Sequence, residues 1–167
     1  VVFDSSGETW TFNTAVADPT KPVRIVLAYT DQPGLIGTSP QVNDLNLQVN
    51  LNGNSYRGNR FSGQWSTPGG SFDSANNYES IFLPPGTTGN FTVTVTAFNI
   101  AGDGVPNHGD ATDQDFAFVC YNCTESADFA LQVAPADVAA CGLNSAAFTV
   151  QMNQFGGFNQ SVNLSVS

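Results

Sequence analysis

Residues 23–53, VRIVLAYTDQPGLIGTSPQVNDLNLQVNLNG, contain two runs in which every second residue is apolar. The apolar positions are Val23, Ile25, Leu27 and Tyr29 in the first run, and Leu45, Leu47, Val49 and Leu51 in the second. A period of two is typical of a β-strand with one buried face. The loop between the runs is rich in Pro and Gly and holds Asp31, Asn43 and Asp44. Two core strands are therefore predicted to carry oxygen ligands at their shared end.

The flanking sequence continues the strand pattern. Further strands are predicted at residues 8–16, 55–57, 80–83, 91–98 and 116–121. The dipeptide Asn52-Gly53 indicates a tight hairpin. Residues 58–70, with Trp65 at their middle, and residues 99–113 are predicted as loops. No window shows helical periodicity, so the predicted fold class is all-β.

Several segments, in matching order, resemble the β-sandwich domain that follows the catalytic domain in secreted subtilisin-like serine proteases. They are VRIVLAYTDxPG and VNDLNLxV within residues 23–53, then WTF at 10–12, NNYESI at 76–81, GNFTVTV at 89–95 and QDFAFV at 114–119. The resemblance covers about residues 8–121. It implies an antiparallel, jelly-roll-like β-sandwich in a secreted, extracellular, bacterial protein. The implied role is that of a non-catalytic accessory domain, which packs against the catalytic domain and supports its stability or its engagement of substrate.

Composition changes after residue 122. Three more strands are predicted at residues 129–133, 148–152 and 162–166, with a turn at Gly156-Gly157. This segment resembles the start of an immunoglobulin-like repeat, but about 45 residues are too few for a sandwich of roughly 100 residues. We therefore predict a sandwich domain at residues 1–121 and a partial immunoglobulin-like module at 122–167. Because the chain begins inside a strand-like segment without Met, we expect a mature piece or an excised fragment.

The charge balance limits the classes of partner. The chain has 4 Lys and Arg against 14 Asp and Glu, a net charge of −10. Nucleic acids and anionic membrane surfaces both attract basic residues, so neither is an expected partner. No run of eighteen apolar residues is present, so no spanning helix is predicted. An acidic extracellular domain, with or without bound calcium, fits this composition.

Three cysteines, Cys120, Cys123 and Cys141, lie in the last third of the chain. A zinc site would need four ligands, and the only His, His108, is distant in sequence. A redox CxxC motif belongs at a helix start, which the pattern does not show. An extracellular disulfide with one thiol left over is the favoured interpretation. Of the pairings, Cys123 with Cys141 is preferred because it brackets the strand at residues 129–133.

A catalytic role is not expected. Gly37-Thr38-Ser39 is similar to the sequence around the subtilisin-like nucleophile, but Pro40 follows where that family has Met-Ala and a helix. A nucleophilic serine also needs a histidine base oriented by a carboxylate. The only candidate base is His108, in a different Gly/Asp loop.

Calcium is the predicted cofactor, in a structural role. Ca²⁺ takes six to eight oxygen ligands, typically from loops. The candidate ligands, all in two loops that the fold could join at one end, are Asp31, Asn43, Asp44, Asp73, Asn76 and Glu79. The alternative is that these residues cap local turns. A second candidate cluster is Asp103, Asp110 and Asp113, for which the alternative is a solvated acidic loop.

Two other functions remain open. A module that binds an extracellular polysaccharide or protein would present exposed, coplanar rings, with Trp65 and Tyr56 as candidates. A self-assembling surface protein would use the unfinished strands after residue 122 to pair with neighbouring copies, since exposed sheet edges invite strand pairing.

Overall fold

The structure, a computed structural model, describes residues 1–37, 40–124, 128–134, 149–155 and 162. The chain divides into two compact units, Val1–Thr124 and Glu125–Ser167. Within the described residues all regular structure is β-strand, which confirms the predicted fold class. The described part of the chain forms no helix with the length and apolar character needed to cross a membrane.

The described part of the first unit contains ten strands. In chain order they are β1 (Val2–Phe3), β2 (Thr9–Ala15), β3 (Val23–Ala28), β4 (Asp44–Leu51), β5 (Asn54–Ser62), β6 (Trp65–Pro68), β7 (Tyr78–Leu83), β8 (Asn90–Asn99), β9 (Gln114–Asp115) and β10 (Ala117–Tyr121). A five-stranded sheet has the order β2-β8-β4-β5-β6, and a three-stranded sheet has the order β10-β3-β7. β1 pairs with β9, and every strand pair is antiparallel.

The core lies between the five-stranded and three-stranded sheets, as in a β-sandwich. The two runs of alternating apolar residues within 23–53 form β3 and β4, one in each sheet, and their apolar positions are all buried. Leu47 lies opposite Val95 on β8, and Ile25 lies opposite Ile81 on β7. Fully burying an aliphatic side chain of this size contributes about 1.5–3 kcal/mol. The residues that alternate as apolar positions in the sequence are therefore the ones that form the core.

The turn between β4 and β5 is as predicted. Asn52 has a φ of 50° and Gly53 a φ of 76°. Positive φ at both central residues is the geometry of a type I′ turn, which matches the twist of the strands on either side.

The predicted loop at residues 58–70 is wrong, because most of it is strand. β5 continues to Ser62, and β6 begins at Trp65 after a short turn. The local pattern hid this strand because Gly58 and Asn59 interrupt the alternation, and Asn59 has a φ of 59°.

Side chains connect this hairpin to the neighbouring sheet. The Asn59 amide accepts a hydrogen bond from Ser80 N and donates one to Tyr78 O, both in β7. The Ser66 hydroxyl in β6 accepts one from Phe82 N. The outer edge of β7 forms no backbone ladder with β5 or β6. Polar side chains therefore make the hydrogen bonds to its backbone groups instead.

In the second unit, β11 (Asp128–Ala134) pairs with β12 (Thr149–Phe155) in an antiparallel arrangement. These strands confirm two of the three predicted after residue 122, those at 129–133 and 148–152. Apart from Val162, the third strand, predicted at 162–166, lies outside the described residues, and so does the turn predicted at Gly156-Gly157. Exposed apolar side chains face each other across the pair, Leu131 opposite Met152 and Val133 opposite Val150.

The preferred cysteine pairing is wrong. Cys123 forms a disulfide with Cys120, and their Cα atoms are 5.8 Å apart. The reason is local: Asn122 adopts a φ of 65° and turns the chain back. The Asn122 amide is held by Asp18 N, Asp18 O and Lys21 O, which fixes this turn against the segment between β2 and β3.

We predict that alkylation of the unreduced, unfolded protein labels Cys141 and leaves Cys120 and Cys123 unlabelled, because the last two are bonded to each other. Peptide mass spectrometry after alkylation measures the labelling directly. The same digest after reduction, in which all three cysteines take the label, is the control. A cross-linked peptide joining Cys123 to Cys141 would contradict the observed pairing.

Candidate functional site

Asp31 closes the loop between β3 and β4. Its two carboxylate oxygens accept hydrogen bonds from Val42 N at 2.7 Å and Asn43 N at 2.9 Å. These are short bonds from backbone donors to a charged acceptor, which are stronger than bonds between neutral groups. Asp31 thus performs the local, turn-closing role that the sequence left open as the alternative to metal binding.

Asn43 joins two loops. Its side chain is fully buried, and its Oδ1 accepts from Ala101 N and Gly102 N. Its Nδ2 donates toward Gly102 O, Asp113 O and Gln114 Oε1, at 2.9–3.1 Å. All hydrogen-bonding capacity of the amide is used within the protein. Asn43 therefore connects the start of β4 to the loop after β8.

Asp73 and Asn76 form a second local network. The Asp73 carboxylate accepts from Ala75 N, Asn59 Nδ2 and Asn76 Nδ2, at 2.6–2.9 Å. Burial opposes ionisation of Asp73, but these donors outweigh it and hold the pKa of the carboxyl below its ordinary value. Asp73 therefore stays charged at neutral pH and ties its own loop to β5.

Glu79 and Asp44 are buried and have few hydrogen-bond donors. Glu79 is 0% exposed and Asp44 is 8% exposed. Glu79 Oε2 accepts a hydrogen bond from Leu47 N at 2.8 Å. Leu47 lies just outside residues 48–51, the part of β4 that pairs with β5. Glu79 Oε1 and Asp44 Oδ1 are buried and accept no hydrogen bond from any described residue.

The electrostatics follow from this burial. Burial raises the pKa of Glu79 to about 8; the Leu47 amide acts against the rise, while the charges of Asp73 and Asp44 add to it. The pKa of Asp44 is also raised, mainly by burial and then by the charges of Asp73 and Asp31. Neighbouring negative charges therefore oppose the ionisation of Glu79 and Asp44 unless a proton or a cation compensates them.

Three further residues that the sequence did not single out belong to this region. Asn46 lies two positions beyond Asp44 on β4, is 4% exposed, and its Oδ1 also has no hydrogen-bond donor among the described residues. Gly58 lies against Glu79, and a Cβ at Gly58 would overlap Glu79 Oε2 and Cβ. Asn59 holds both Asp73 and β7. The one feature of the sequence that could have pointed to these residues is Gly58-Asn59, which interrupts the alternation in β5.

The donor set suits calcium. Buried carboxylate and amide oxygens without hydrogen-bond partners are the ligands that Ca²⁺ prefers. Asp44, Asn46 and Glu79 would hold it, and its charge would offset the repulsion among the carboxyls. Within the described residues, no three Asp, Glu, His or Cys ligand atoms of this region lie within 4.8 Å of one another. Backbone carbonyls or water would therefore have to complete the coordination.

The second predicted cluster is arranged differently. Asp110 Oδ2 and Asp113 Oδ2 lie 3.7 and 3.4 Å from His108 Nδ1. Asp4, near the N-terminus, joins His108 and Asp110 in a group whose ligand atoms lie within 4.8 Å of one another. Asp103 bridges to Asp113 through the backbone, and its own Oδ1 is buried without a donor in the described structure. The sequence did not associate His108 or Asp4 with this cluster.

The aromatic candidates are partly covered. Arg24 stacks over Trp65, with its guanidinium carbon 4.8 Å from the ring centroid, and Tyr56 packs against the core. Neither ring is a flat, fully exposed platform. Ser39, considered above as a nucleophile, lies outside the described residues, and the imidazole of His108 faces Asp110 and Asp113.

Comparisons with known proteins find no matching family model and no matching curated protein. The subtilisin-like resemblance therefore stays a prediction from the motifs.

We predict that the stability of the metal-free protein falls as pH rises from about 5 to 8, and that Glu79→Gln removes part of this fall. The pKa of Glu79 is about 8 in the folded protein and 4.5 ordinarily. Between these values the folded state holds a proton that the unfolded state has lost, so unfolding becomes easier as pH rises. One such proton corresponds to a slope of at most about 1.4 kcal/mol per pH unit.

The measurement is urea unfolding from pH 4.5 to 8.5 with a chelator present. Asp115→Asn is the matched control, because that carboxyl is exposed on the same unit. Parallel stability curves for the wild-type protein and Glu79→Gln would contradict the assignment of the slope to Glu79.

Proposed function

We propose that this chain is a non-catalytic, calcium-stabilised accessory domain of a secreted subtilisin-like serine protease, which supports the stability of the catalytic domain or its engagement of substrate. The observation that carries the calcium part is the buried, unpartnered oxygen on each of Glu79 and Asp44. The accessory role is supported by the motifs, because the segments that resemble the protease-associated domain form β2, β3, β4, β7, β8, β9 and β10.

Calcium would link the two sheets. Asp44 and Asn46 belong to β4 in the five-stranded sheet, and Glu79 belongs to β7 in the three-stranded sheet. A cation held by these residues would favour ionised Glu79 and so preserve its hydrogen bond to Leu47 N. Binding to the folded state alone shifts unfolding toward higher temperature.

The remaining features are consistent with an extracellular location. The Cys120–Cys123 disulfide is the kind of bond that persists in oxidising compartments. The low content of basic residues disfavours binding to nucleic acid.

We expect calcium to raise the thermal unfolding midpoint, and Asp44→Asn to reduce that rise. At a hundredfold excess of calcium over its dissociation constant the stabilisation is about 2.7 kcal/mol, which corresponds to roughly 10 °C for a unit of this size. Midpoints are measured by calorimetry with calcium and with chelator at matched ionic strength. Asp115→Asn serves as the control and keeps the full rise. No calcium-dependent shift in the wild-type protein would rule out the calcium part of the proposal.

The accessory role is tested separately through the gene. We expect the coding region upstream of Val1 to continue in frame into a subtilisin-like catalytic domain. Thermal inactivation of that protease would be faster when residues 1–124 are deleted, because the accessory domain stabilises it. An open reading frame without a protease domain would overturn the accessory role, and it would leave the calcium result unaffected.

A further inference from the structure

We propose that the loop after β8 forms a second metal site, selective for a divalent transition ion such as Zn²⁺, with His108, Asp110, Asp113 and Asp4 as ligands. This site is separate from the oxygen-only region around Glu79, and it does not depend on the proposed function.

The spacing of His108 from two of the acids fits a four-coordinate ion. His108 Nδ1 lies 3.4 Å from Asp113 Oδ2 and 3.7 Å from Asp110 Oδ2. With metal–ligand bonds of about 2.0–2.1 Å, two ligands of a tetrahedral zinc ion are roughly 3.3 Å apart. The ligand atom of Asp4 is within 4.8 Å of those of His108 and Asp110, on an exposed side chain that can close the fourth position. Asp113 is not in that group, so the exposed side chains must turn toward Asp113 for all four ligands to bind one ion.

The independent indication of a ligand is Asp113. Its side chain is 0% exposed, and Oδ2 is buried without accepting a hydrogen bond from any residue in the described ranges. Leaving a buried carboxylate oxygen unsatisfied is unfavourable. This oxygen lies 3.4 Å from His108 Nδ1, one of the proposed ligand atoms.

Asp113 is also held in place. Its Oδ1 accepts from Val105 N at 2.9 Å, and its backbone carbonyl accepts from Gly104 N and Asn43 Nδ2. Its N–H donates to Gly102 O. Because this side chain is already fixed by its surroundings, less conformational entropy is lost when an ion binds. Asp113 therefore provides a rigid anchor to which the exposed ligands can add.

The nitrogen ligand determines the class of metal. Calcium and magnesium prefer oxygen ligands, whereas imidazole suits zinc, copper, iron and nickel. A site with one imidazole and three carboxylates is therefore expected to prefer Zn²⁺ over Ca²⁺. The alternative is an imidazolium that pairs with Asp110 and Asp113 and holds no metal.

Cobalt(II) provides the test, because it replaces zinc and its four-coordinate complexes absorb visible light. The intact chain, with any free thiol alkylated and with excess Ca²⁺ present to occupy oxygen-only sites, is titrated with Co²⁺. We expect one ion per chain to bind with a visible absorption band, and Zn²⁺ to abolish that band.

Matched variants assign the site. His108→Gln is expected to weaken Co²⁺ binding by at least about tenfold, and Asp4→Asn and Asp110→Asn to weaken it as well. Asp115→Asn is expected to bind as the wild-type protein does. All substituted ligands are exposed, so metal-free thermal midpoints should be unchanged, which excludes loss of folding as the cause.

Two outcomes would overturn the proposal. One is the absence of saturable Co²⁺ binding in the presence of Ca²⁺, which would indicate a carboxylate-paired imidazolium only. The other is binding that His108→Gln leaves unchanged, which would place the ion elsewhere.

Discussion

The structure depends on how the backbone N–H groups of β4 find hydrogen-bond acceptors where β5 no longer pairs with β4. β5 pairs with β4 at residues 48–51, and the amides of Leu45 and Leu47 then need acceptors inside the sandwich. A buried N–H without a partner costs about 1–3 kcal/mol. Leu47 N donates to Glu79 Oε2 at 2.8 Å, and Leu45 N makes a longer bond, 3.4 Å, to the hydroxyl of Tyr29. Two polar side chains, one from β7 and one from the residue after β3, therefore replace a missing strand, and one of them is a carboxyl in the core.

That carboxyl determines much of what surrounds it. Gly58 can have no side chain because Glu79 fills the space above it, and Asn59 beside it must carry the connection from β5 to β7. Glu79 also lies in the field of Asp44 and Asp73, so its ionisation is disfavoured by neighbours as well as by burial. Either a proton or a cation can compensate this charge. A fold that uses a buried acid as a hydrogen-bond acceptor thereby couples its stability to pH.

The sequence was most informative where the pattern is local. The alternation of apolar residues identified β3, β4 and β8, because a strand with one buried face needs an apolar residue at every second position. Asn52-Gly53 identified the hairpin, because these two residue types readily adopt positive φ. It was least informative for polar residues, whose partners are distant: Asn43 bonds to Gln114, 71 positions away, and Leu47 to Glu79, 32 positions away. Composition identified the acidic loops, but it did not distinguish Asp31, which closes a turn, from Asp44, whose Oδ1 lacks a partner among the described residues.

The two acidic regions meet at adjacent residues of the chain. Asn43 donates to the carbonyl of Asp113 and so joins β4 to the loop that contains His108, while Asp44, the next residue, belongs to the group around Glu79. Asn43 precedes β4 and Asp44 begins it, so one peptide step separates a loop anchored by backbone hydrogen bonds from a buried cluster of carboxyls. The regions differ in ligand chemistry, imidazole with carboxylates in one and oxygen atoms alone in the other. Because Asn43 fixes the position of Asp113 without using its carboxylate, the loop keeps a rigid ligand whether or not a cation is bound near Asp44.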